Sequence, residues 1–306
     1  MQNKESNFIS AIAYVHDDAL RVASFLQRVQ QALEVRFDHY EIIMVNDASR
    51  DGSVQEIKKY VRANAAPVTL INMSLAQGRE LCMNAGMDAS IGDFVFEFDT
   101  LDTGYDAALL CKAYETALTG YDIVSVGPAK NRNFISSLFY RVFNASSHSR
   151  YKLQTDVLRL LSRRAINRVH AVSATPAYRK AAYAASGLKL FALCDKSIAA
   201  GACKDKSLRL TLAVDSLALY TDTAYRVSFG VAALMLLGTV AELIYTLSIY
   251  FGGTRPVEGW TTMMFVLTVG FFGVFTILTF VLKYLSLLVD LLFKHQKYLV
   301  ESVEKL

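Results

Sequence analysis

Two long apolar runs near the C-terminal end constrain this chain more than any other feature. Residues 227–251 hold a single charged residue, Glu242, and residues 260–282 hold none. About 20 such residues in a helix suffice to cross the hydrocarbon core of a bilayer, and Trp260 is typical of an interfacial aromatic anchor. We therefore predict two transmembrane helices, about 227–251 and 260–282, rather than two helices buried in a soluble core. These runs account for the positive mean hydropathy of +0.27.

The charges around these runs predict how the chain is oriented in a membrane. Only residues 252–259 separate the runs, so the helices form a hairpin whose two ends lie on one side. The connecting loop holds one basic residue, Arg255, whereas the outer flanks hold more: Lys204, Lys206, Arg209, Arg226, Lys283, Lys294 and Lys297. The positive-inside rule then makes the preceding domain and the tail, residues 283–306, cytoplasmic. The prediction is a multi-pass protein of the cytoplasmic (inner) membrane.

The segments that flank the hairpin mix apolar and charged residues. Residues 204–226 are expected to form an amphipathic juxtamembrane helix region along the membrane surface. Residues 283–299 have the same character and either lie along the surface or extend the second helix. Glu242 is either a functional group inside a span or the partner of a neighbouring polar side chain.

The net charge of +4 divides into −8 for residues 1–129 and +12 for residues 130–306. The basic part is densest over residues 130–168, which hold nine Lys and Arg against one acid, Asp156. Such a stretch is typical of nucleic-acid binding, of a solvated helix face, or of a surface that binds phosphate. Because it lies between the acidic part and the apolar runs, we interpret it as a contact for a lipid phosphate or anionic headgroups, and expect no nucleic acid.

Residues 9–128 show strands alternating with helices. Strands are expected at 9–15, 40–47, 67–74, 92–100 and 121–128, and helices at 17–35, 53–64, 78–90 and 105–120. This alternation predicts a Rossmann-like α/β domain with a mostly parallel sheet. Such sheets bind ligands outside the carboxyl ends of their strands. Acidic residues gather there: Asp17, Asp18, Asp47, Asp51, Asp99 and Asp102.

The acids after the second and fourth strands carry the main chemical indications. Asp99 and Asp102 follow a buried run, and closely spaced carboxylates in such a place suit Mg²⁺ or Mn²⁺, which take oxygen ligands and bridge phosphates. Asp47 is placed to accept hydrogen bonds from a nucleobase or ribose. The alternative is ordinary turn chemistry with a helix cap supplied by Asp51 or Ser53.

Several motifs in this order resemble the family 2 glycosyltransferases. VNDASRDGS (45–53) resembles V-D-D-G-S-x-D-G-T, and NMSLAQGRELCMNAGMDASIGDFVFEFD (72–99) resembles the run from N-x-G through A-x-N-x-G to G-D-x-V-x-x-x-D. TDVLRLLSRRAINRV (155–169) resembles the region around D-F-R-L-x-x-R-R, and GWTTMM (259–264) resembles G-W-T-S at the second span. The likeness is to the polyprenyl-phosphate branch, which includes dolichol-phosphate mannose synthase and bacterial undecaprenyl-phosphate sugar transferases.

This resemblance implies a GT-A catalytic domain at residues 1–203 and an inverting transfer of a sugar from a UDP- or GDP-linked donor to a polyprenyl phosphate. It also implies a divalent cation, Mg²⁺ or Mn²⁺, and association between copies of the chain. The nucleotide-sugar contacts it implies are Tyr14, His16, Asp17, Asp47, Gln77, Arg79 and Asp99. The lipid-phosphate contacts are Arg163, Arg164, Arg179 and Lys180, the metal ligands Asp99 and Asp102, and the catalytic residues Asp156 and Arg159.

The implied reaction is a direct displacement at the anomeric carbon. An oxygen of the acceptor phosphate attacks from the face opposite the departing diphosphate, whose charge the cation at Asp99 and Asp102 neutralises. Asp156 accepts a proton or orients the acceptor. Arg159, Arg163 and Arg164 are expected to hold the acceptor phosphate; on a single helix, the first two would share a face.

Three departures from the family pattern keep other functions open. YVHDD (14–18) replaces P-x-Y-N-E-E, the metal motif D-x-D is spread over Asp99 and Asp102, and Asp156 lies three residues before Arg159 instead of two. A degenerate member that serves as a membrane-anchored binding or scaffold protein is one alternative. A transferase that uses a lipid-linked glycan as acceptor is another.

Overall fold

The structure is a computed structural model that describes residues 4–102, 104, 106–129, 141, 144, 155–172, 178–195, 198, 223–252, 259–293 and 298–306. The chain divides into two compact units. The first, here the sheet unit, comprises Met1–Ala213 and Phe293–Leu306, and the second, here the helical unit, comprises Val214–Leu292. The C-terminal end of the chain therefore belongs to the sheet unit, although we expected residues 283–306 to be a separate tail.

The sheet unit is built from strands and helices that alternate along its first 128 residues. Its strands are β1 (Ile9–Val15), β2 (Tyr40–Asn46), β3 (Val68–Met73), β4 (Phe94–Phe98), β5 (Ile123–Pro128), β6 (Leu158–Ser162), β7 (Leu190–Asp195) and β8 (Val300–Lys305). Its helices are α1 (Ala19–Arg36), α2 (Ser53–Asn64), α3 (Arg79–Ala89), α4 (Ala108–Leu118), α5 (Arg163–Val172) and α6 (Arg179–Ala185). The five strands and four helices expected before residue 129 are all present, within a few residues at each end.

The strands form one sheet in the order β7-β5-β6-β4-β1-β2-β3-β8. β1 pairs in parallel with β2 and β4, β2 with β3, and β5 with β7. β6 runs antiparallel between β4 and β5, and β8 runs antiparallel along β3. The expected α/β fold with a mostly parallel sheet is confirmed, and the carboxyl ends of the parallel strands meet at one edge.

Apolar side chains cover both faces of the sheet. Alternate residues of β1 enter two different cores: Ala11 and Ala13 pack with α1, α2 and α4, whereas Ile12 packs with α3 and α5. This alternation is what a strand buried on both faces requires. Helix α3 lies very close to the sheet at Gly86, where an added Cβ would come within 2.4 Å of Cγ2 of Ile12.

The helical unit contains two long helices, α7 (Thr223–Phe251) and α8 (Trp260–Phe293). Each is long and apolar enough to cross a membrane, over Phe229–Ile249 and Thr262–Leu285. Helix α8 continues past residue 282 to Phe293. This agrees with the alternative that residues 283–299 extend the second helix. The juxtamembrane segment 204–226 lies outside the described residues, except that its last four begin α7.

Candidate functional site

Two turns at the carboxyl edge of the sheet, residues 16–19 after β1 and 47–53 after β2, are joined by reciprocal hydrogen bonds. We call them the paired turns. The Asp17 carboxylate accepts from the amide of Arg50 (2.8 Å), and the Asp51 carboxylate accepts from the amide of Ala19 (2.9 Å). The amide of Asp18 donates to the hydroxyl of Ser53 (2.9 Å). The Asp51 carboxylate also accepts from the amide of Ser53, the first residue of α2. This geometry agrees with the alternative that Asp51 caps a helix.

The carboxylate of Asp47 points into the protein. It accepts hydrogen bonds from the hydroxyl of Tyr14 (2.9 Å) and from the amides of Gln77 (2.7 Å) and Gly78 (3.0 Å), and the residue is only 2% exposed. Burial, and then the charge of Asp47, raise the pKa of Tyr14 and of the Cys82 thiol well above their usual ranges. Asp47 therefore organises the loop after β3, and Tyr14 is committed to it. Both side chains are thus engaged within the protein.

The Gln77 side chain is likewise engaged within the protein. Its amide nitrogen donates to the carbonyl of Leu299 (2.6 Å), and its amide oxygen accepts from the Leu299 backbone N–H (2.8 Å). Among the expected nucleotide contacts, His16 and Asp17 are exposed, and Arg79 is half-buried at the start of α3. His16, Asp17 and Arg79 lie at the carboxyl edge of the sheet, where sheets of this kind bind ligands.

Beside the paired turns, two buried arginines hold two carboxylates, one in β4 and one directly after it. The Arg159 guanidinium on β6 contacts Glu97 (2.7 Å) and Asp99 (2.7 Å). The Arg179 guanidinium at the start of α6 contacts the same two carboxylates and also Glu80 (3.0 Å). We call these residues the arginine–carboxylate cluster. Each buried charge in it faces a charge of opposite sign, which is what burial of ionised groups demands.

Both oxygens of Asp99 are occupied within this cluster. Oδ2 accepts from Arg159 Nη2 (2.7 Å) and Oδ1 from Arg179 Nη2 (2.8 Å). Burial alone would raise the pKa of Asp99, but the two guanidinium groups, with Arg79 and Lys180 nearby, hold it well below its usual range. Asp99 is therefore ionised at neutral pH.

Asp156 completes the cluster on the side of β5. Its carboxylate contacts Arg159 (3.2 Å), forms an ion pair with Lys180 and accepts from the hydroxyl of Ser125 (3.0 Å). These contacts suit a residue that fixes the positions of Arg159 and Lys180.

The residues around Asp99 do not form the expected metal site. Leu101, the residue two places after Asp99, is 1% exposed and packs into the core. Asp102 beyond it is exposed and accepts from the amide of Gly104 (3.1 Å). Within the described residues, no group of three or more His, Cys, Asp or Glu side chains lies close enough together to hold a metal ion. The expected pair of ligands is thus separated by a buried leucine, and Asp99 is already neutralised by arginine.

Arg163 and Arg164 lie at the opposite edge of the sheet. Because β6 is antiparallel to β4, Leu158 pairs with Phe98 at the carboxyl edge, whereas Ser162 pairs with Phe94 at the other edge. Arg163 donates to the carbonyl of Gly92 (2.6 Å), and Arg164 forms a bidentate pair with Asp122 (2.8 and 2.6 Å).

The expectation that these two arginines join Arg159 at an acceptor phosphate is not met. Arg159 belongs to a strand and Arg163 opens α5, so they share no helix face. The four residue steps from Arg159 to Arg163 cover about 13 Å along the chain, which separates the two guanidinium-bearing positions. Arg179 and Lys180 do lie in the cluster. Of the basic stretch 130–168, residues 130–140, 142–143 and 145–154 fall outside the described part of the chain.

The family model for glycosyl transferase family 2 matches residues 14–173, just over half of the chain. The chain belongs to glycosyl transferase family 2. The match begins at Tyr14 and takes in both paired turns, all of β4 and Arg159, whereas Arg179, Lys180 and Tyr183 of the cluster lie beyond it.

Curated relatives of this glycosyltransferase match over part of its length. An uncharacterized glycosyltransferase of Synechocystis sp. is 26% identical over 164 residues, which cover 51% of each chain. An undecaprenyl-phosphate 4-deoxy-4-formamido-L-arabinose transferase of Aeromonas hydrophila is 25% identical over 124 residues, which cover 40% of this chain and 38% of that one. The matched part is thus about half of the first relative's own length and less than half of the second's. The name of the second relative bears out the resemblance to the polyprenyl-phosphate branch.

Solved structures show the same fold. A mannosyltransferase of Pyrobaculum calidifontis, in complex with GDP-Man and Mn²⁺, has a TM-score of 0.53 at 15% identity and covers 94% of this chain and 88% of its own. A glucosyl-3-phosphoglycerate synthase of Mycobacterium tuberculosis, in complex with Mn²⁺, UDP and phosphoglyceric acid, has a TM-score of 0.53 at 13% identity and covers 69% of this chain and 76% of its own. The GT-A fold is therefore shown.

Several residues of the cluster were not expected from the sequence. Glu97 is fully buried and accepts from both arginines and from the hydroxyl of Tyr183 (2.8 Å). One signal for it exists: a charged residue inside an otherwise apolar strand needs a buried partner. No local signal marks Glu80 or Tyr183, whose partners come from segments 99 and 86 residues away.

Proposed function

We propose that this glycosyltransferase transfers a sugar from a UDP- or GDP-linked donor to a polyprenyl phosphate at the cytoplasmic face of a membrane. The observation that carries the proposal is the position of the arginine–carboxylate cluster. It adjoins the paired turns at the carboxyl edge of a GT-A sheet, the edge at which such sheets bind ligands. The relatives that act on undecaprenyl phosphate and the two apolar helices support the acceptor class.

The donor is proposed to lie across the paired turns and the start of α3. His16 and Asp17 are exposed there and supply hydrogen-bonding groups for the base or ribose. The N-terminus of α3 and the guanidinium of Arg79 present positive charge, which suits the diphosphate. Asp99, next to Arg79, lies beside the bond that breaks.

The transfer is proposed to be a single displacement. An oxygen of the acceptor phosphate forms a bond to the anomeric carbon, the bond from that carbon to the donor diphosphate breaks, and the nucleoside diphosphate leaves with the electron pair. A phosphate oxygen is already ionised at neutral pH, so no strong base is needed. Asp156 and Arg159 act by holding Asp99 and Lys180 in place. Lys180, the least buried of the three cations in the cluster, contacts the acceptor phosphate.

A metal has no step in this reaction scheme. The two structural neighbours hold Mn²⁺, but here the expected ligand Asp99 is neutralised by two arginines, and Asp102 is exposed and accepts from the amide of Gly104. The positive charge near the donor comes instead from Arg79 and the N-terminus of α3. Dependence on a divalent cation is a separate measurement in the experiment below.

Both helices of the helical unit are proposed to cross the membrane as a hairpin, with the sheet unit on the cytoplasmic side. Their length and apolar composition support this arrangement, and so does the excess of Lys and Arg outside the loop that connects them. The acceptor class fits such an anchor, because a polyprenyl phosphate stays in the bilayer.

The test is transfer of radiolabelled sugar from UDP- or GDP-linked donors to undecaprenyl phosphate by membranes that contain the full chain. Label is expected in a lipid that mild acid cleaves. Asp99→Asn is expected to abolish the transfer, because it removes the charge that both arginines hold. Asp38→Asn, at an exposed position outside the cluster, is the matched control and is expected to leave transfer unchanged. Assays with Mn²⁺, Mg²⁺ or a chelator measure cation dependence.

A second function follows from the same geometry. The loss of a compact D-x-D pair and the neutralisation of Asp99 by arginine favour a member of the family that binds nucleotide without turning it over. Nucleotide binding with no label in lipid from any donor would establish that function and overturn the transferase proposal. Label in a lipid-linked glycan, with none in undecaprenyl phosphate, would point to the other acceptor class.

A further inference from the structure

Residues 298–306, here the C-terminal segment, form part of the sheet unit next to the donor side of the site. β8 pairs antiparallel with β3, and the amide of Leu306 donates to the carbonyl of Val68 (3.0 Å). At the other end of the segment, the carbonyl of Leu299 accepts from the amide of Ser74 (3.2 Å). The last residues of the chain therefore lie along the whole of β3 and reach the loop that follows it, residues 74–78.

Gln77 connects this segment to Asp47. Its side chain makes two hydrogen bonds to the backbone of Leu299, 222 residues away, at 2.6 and 2.8 Å. Its own amide N–H, with that of Gly78, donates to the Asp47 carboxylate. The C-terminal segment holds the side chain of Gln77, and the backbone of Gln77 binds the Asp47 carboxylate. Gln77 thus helps to fix this carboxylate between the paired turns and α3.

A second connection runs through two amide side chains inside the sheet. Asn72 on β3 donates to Ser302 (3.0 Å) and Glu304 (3.2 Å) on β8, and its oxygen accepts from Asn46 (2.9 Å) at the end of β2. The oxygen of Asn46 accepts from the amide of Ser49 (3.1 Å), which lies in the paired turns. Networks of this kind hold a single arrangement only while every member is satisfied.

Both connections end at the groups proposed to receive the donor. The first positions residues 77 and 78, directly before Arg79 and the start of α3. The second positions the turn after β2. A loop without such contacts would belong to the low-stability part of the fold, where backbone opens locally. The C-terminal segment supplies such contacts through Leu299, whose backbone binds Ser74 and Gln77 of this loop.

We propose that the C-terminal segment completes the donor site and that Gln77 is its main positioning residue. The inference rests on the proposed function, because it assigns the donor to this edge. It changes the role of Gln77, which holds the loop through its side chain and contacts no nucleotide. It also makes donor binding depend on the residues that follow the second apolar helix.

The test compares Gln77→Met with Gln55→Met in the full chain. Methionine keeps the length of the side chain but forms neither bond to Leu299, and Gln55 is an exposed glutamine on α2. Donor KM and kcat are measured with UDP-glucose and GDP-mannose. Binding of UDP and GDP is measured by calorimetry, and hydrogen exchange is followed over residues 74–82.

For Gln77→Met we expect donor KM and nucleotide Kd to rise about tenfold, kcat to stay within about twofold and exchange at residues 77–78 to accelerate. Gln55→Met should match the wild type.

Unchanged donor KM, Kd and exchange in Gln77→Met would overturn the inference. A lower melting temperature with unchanged KM would also overturn it, because the segment would then contribute to stability alone. If the wild type bound no nucleotide, the proposed function would fail, whereas the exchange rates would still decide whether the segment orders the loop. A chain that ends at residue 297 should show the Gln77→Met effects more strongly; where it does not fold, the point variant decides.

Discussion

At the scale of single residues, the site depends on a carboxylate that touches no solvent. Glu97 lies in the middle of the sheet, is 0% exposed and accepts from Arg159, Arg179 and Tyr183. The two guanidinium groups that it neutralises are the ones that hold Asp99. Without Glu97, the buried guanidinium groups of Arg159 and Arg179 would have fewer negative partners. A buried charge with too little compensation raises the free energy of the folded state. Glu97 therefore sets the position of Asp99 through the arginines.

Glu97→Gln is expected to lower the free energy of unfolding by about 3 kcal/mol, because an isosteric amide leaves a buried guanidinium with too little compensating charge. The measurement is thermal or urea unfolding of the full chain in detergent. Glu115→Gln is the control: Glu115 is exposed and its contact with Arg36 is long, at 3.4 Å. It should change stability by less than about 0.5 kcal/mol. Equal stability of the two variants would contradict the role of Glu97.

At the scale of secondary-structure elements, the paired turns fix two helices to two strands. A single carboxylate, Asp51, accepts from the first amide of α1 and from the first amide of α2. Helix starts leave such amides without a partner inside the helix. Burial alone would raise the pKa of Asp51, but its hydrogen bonds with Ser53 and Ala19 lower it. The cap is thus strongest when Asp51 is ionised.

The contribution of Asp51 to stability should therefore depend on pH in one direction. A group whose pKa is lower in the folded state stabilises the fold fully above its unfolded pKa, about 3.9, and loses this contribution as the pH falls through the folded value. Asp51→Asn should cost about 1 kcal/mol at pH 7, and the difference from wild type should shrink below pH 4. Urea unfolding at pH 7, 5 and 3.5 checks this. A difference that is constant over that range would contradict it.

At the scale of the whole molecule, the two units have different surfaces. The sheet unit carries the site and buries its apolar residues on both faces of the sheet. The helices of the other unit leave large apolar side chains exposed, among them Leu234, Phe265 and Ile277. An apolar surface of this extent is stable in a bilayer and unstable in water.

A charge in the middle of α8 should therefore weaken membrane retention. Leu278→Lys places an ammonium group within the candidate span Thr262–Leu285, at a cost of about 3 kcal/mol for insertion. Leu118→Lys is the matched control, since Leu118 is an equally exposed leucine on α4 of the sheet unit. After alkaline extraction of membranes, more of the first variant than of the second should be released. Equal release would contradict the assignment of α8 as a span.

The sequence predicted elements much better than it predicted contacts. β1 to β5 and α1 to α4 follow from patterns a few residues long, because the period of the apolar positions reports local geometry. β6, β7 and β8 were not predicted. β6 carries charge and lies in a stretch we interpreted as a phosphate-binding surface, and β8 is six mostly polar residues at the sheet edge. Neither shows the apolar run of a buried parallel strand.

By itself, the sequence determined the family, the alternating α/β pattern, the acids at the strand ends and the two apolar helices, since each depends on residues close together in the chain. The tertiary structure decided which charges meet. The antiparallel direction of β6 brings Arg159 to Asp99 and takes Arg163 to the opposite edge, and the return of β8 gives Gln77 its partner at Leu299. Strand order and direction are set by packing over the whole sheet, so the partner of a side chain cannot be inferred from its neighbours in sequence.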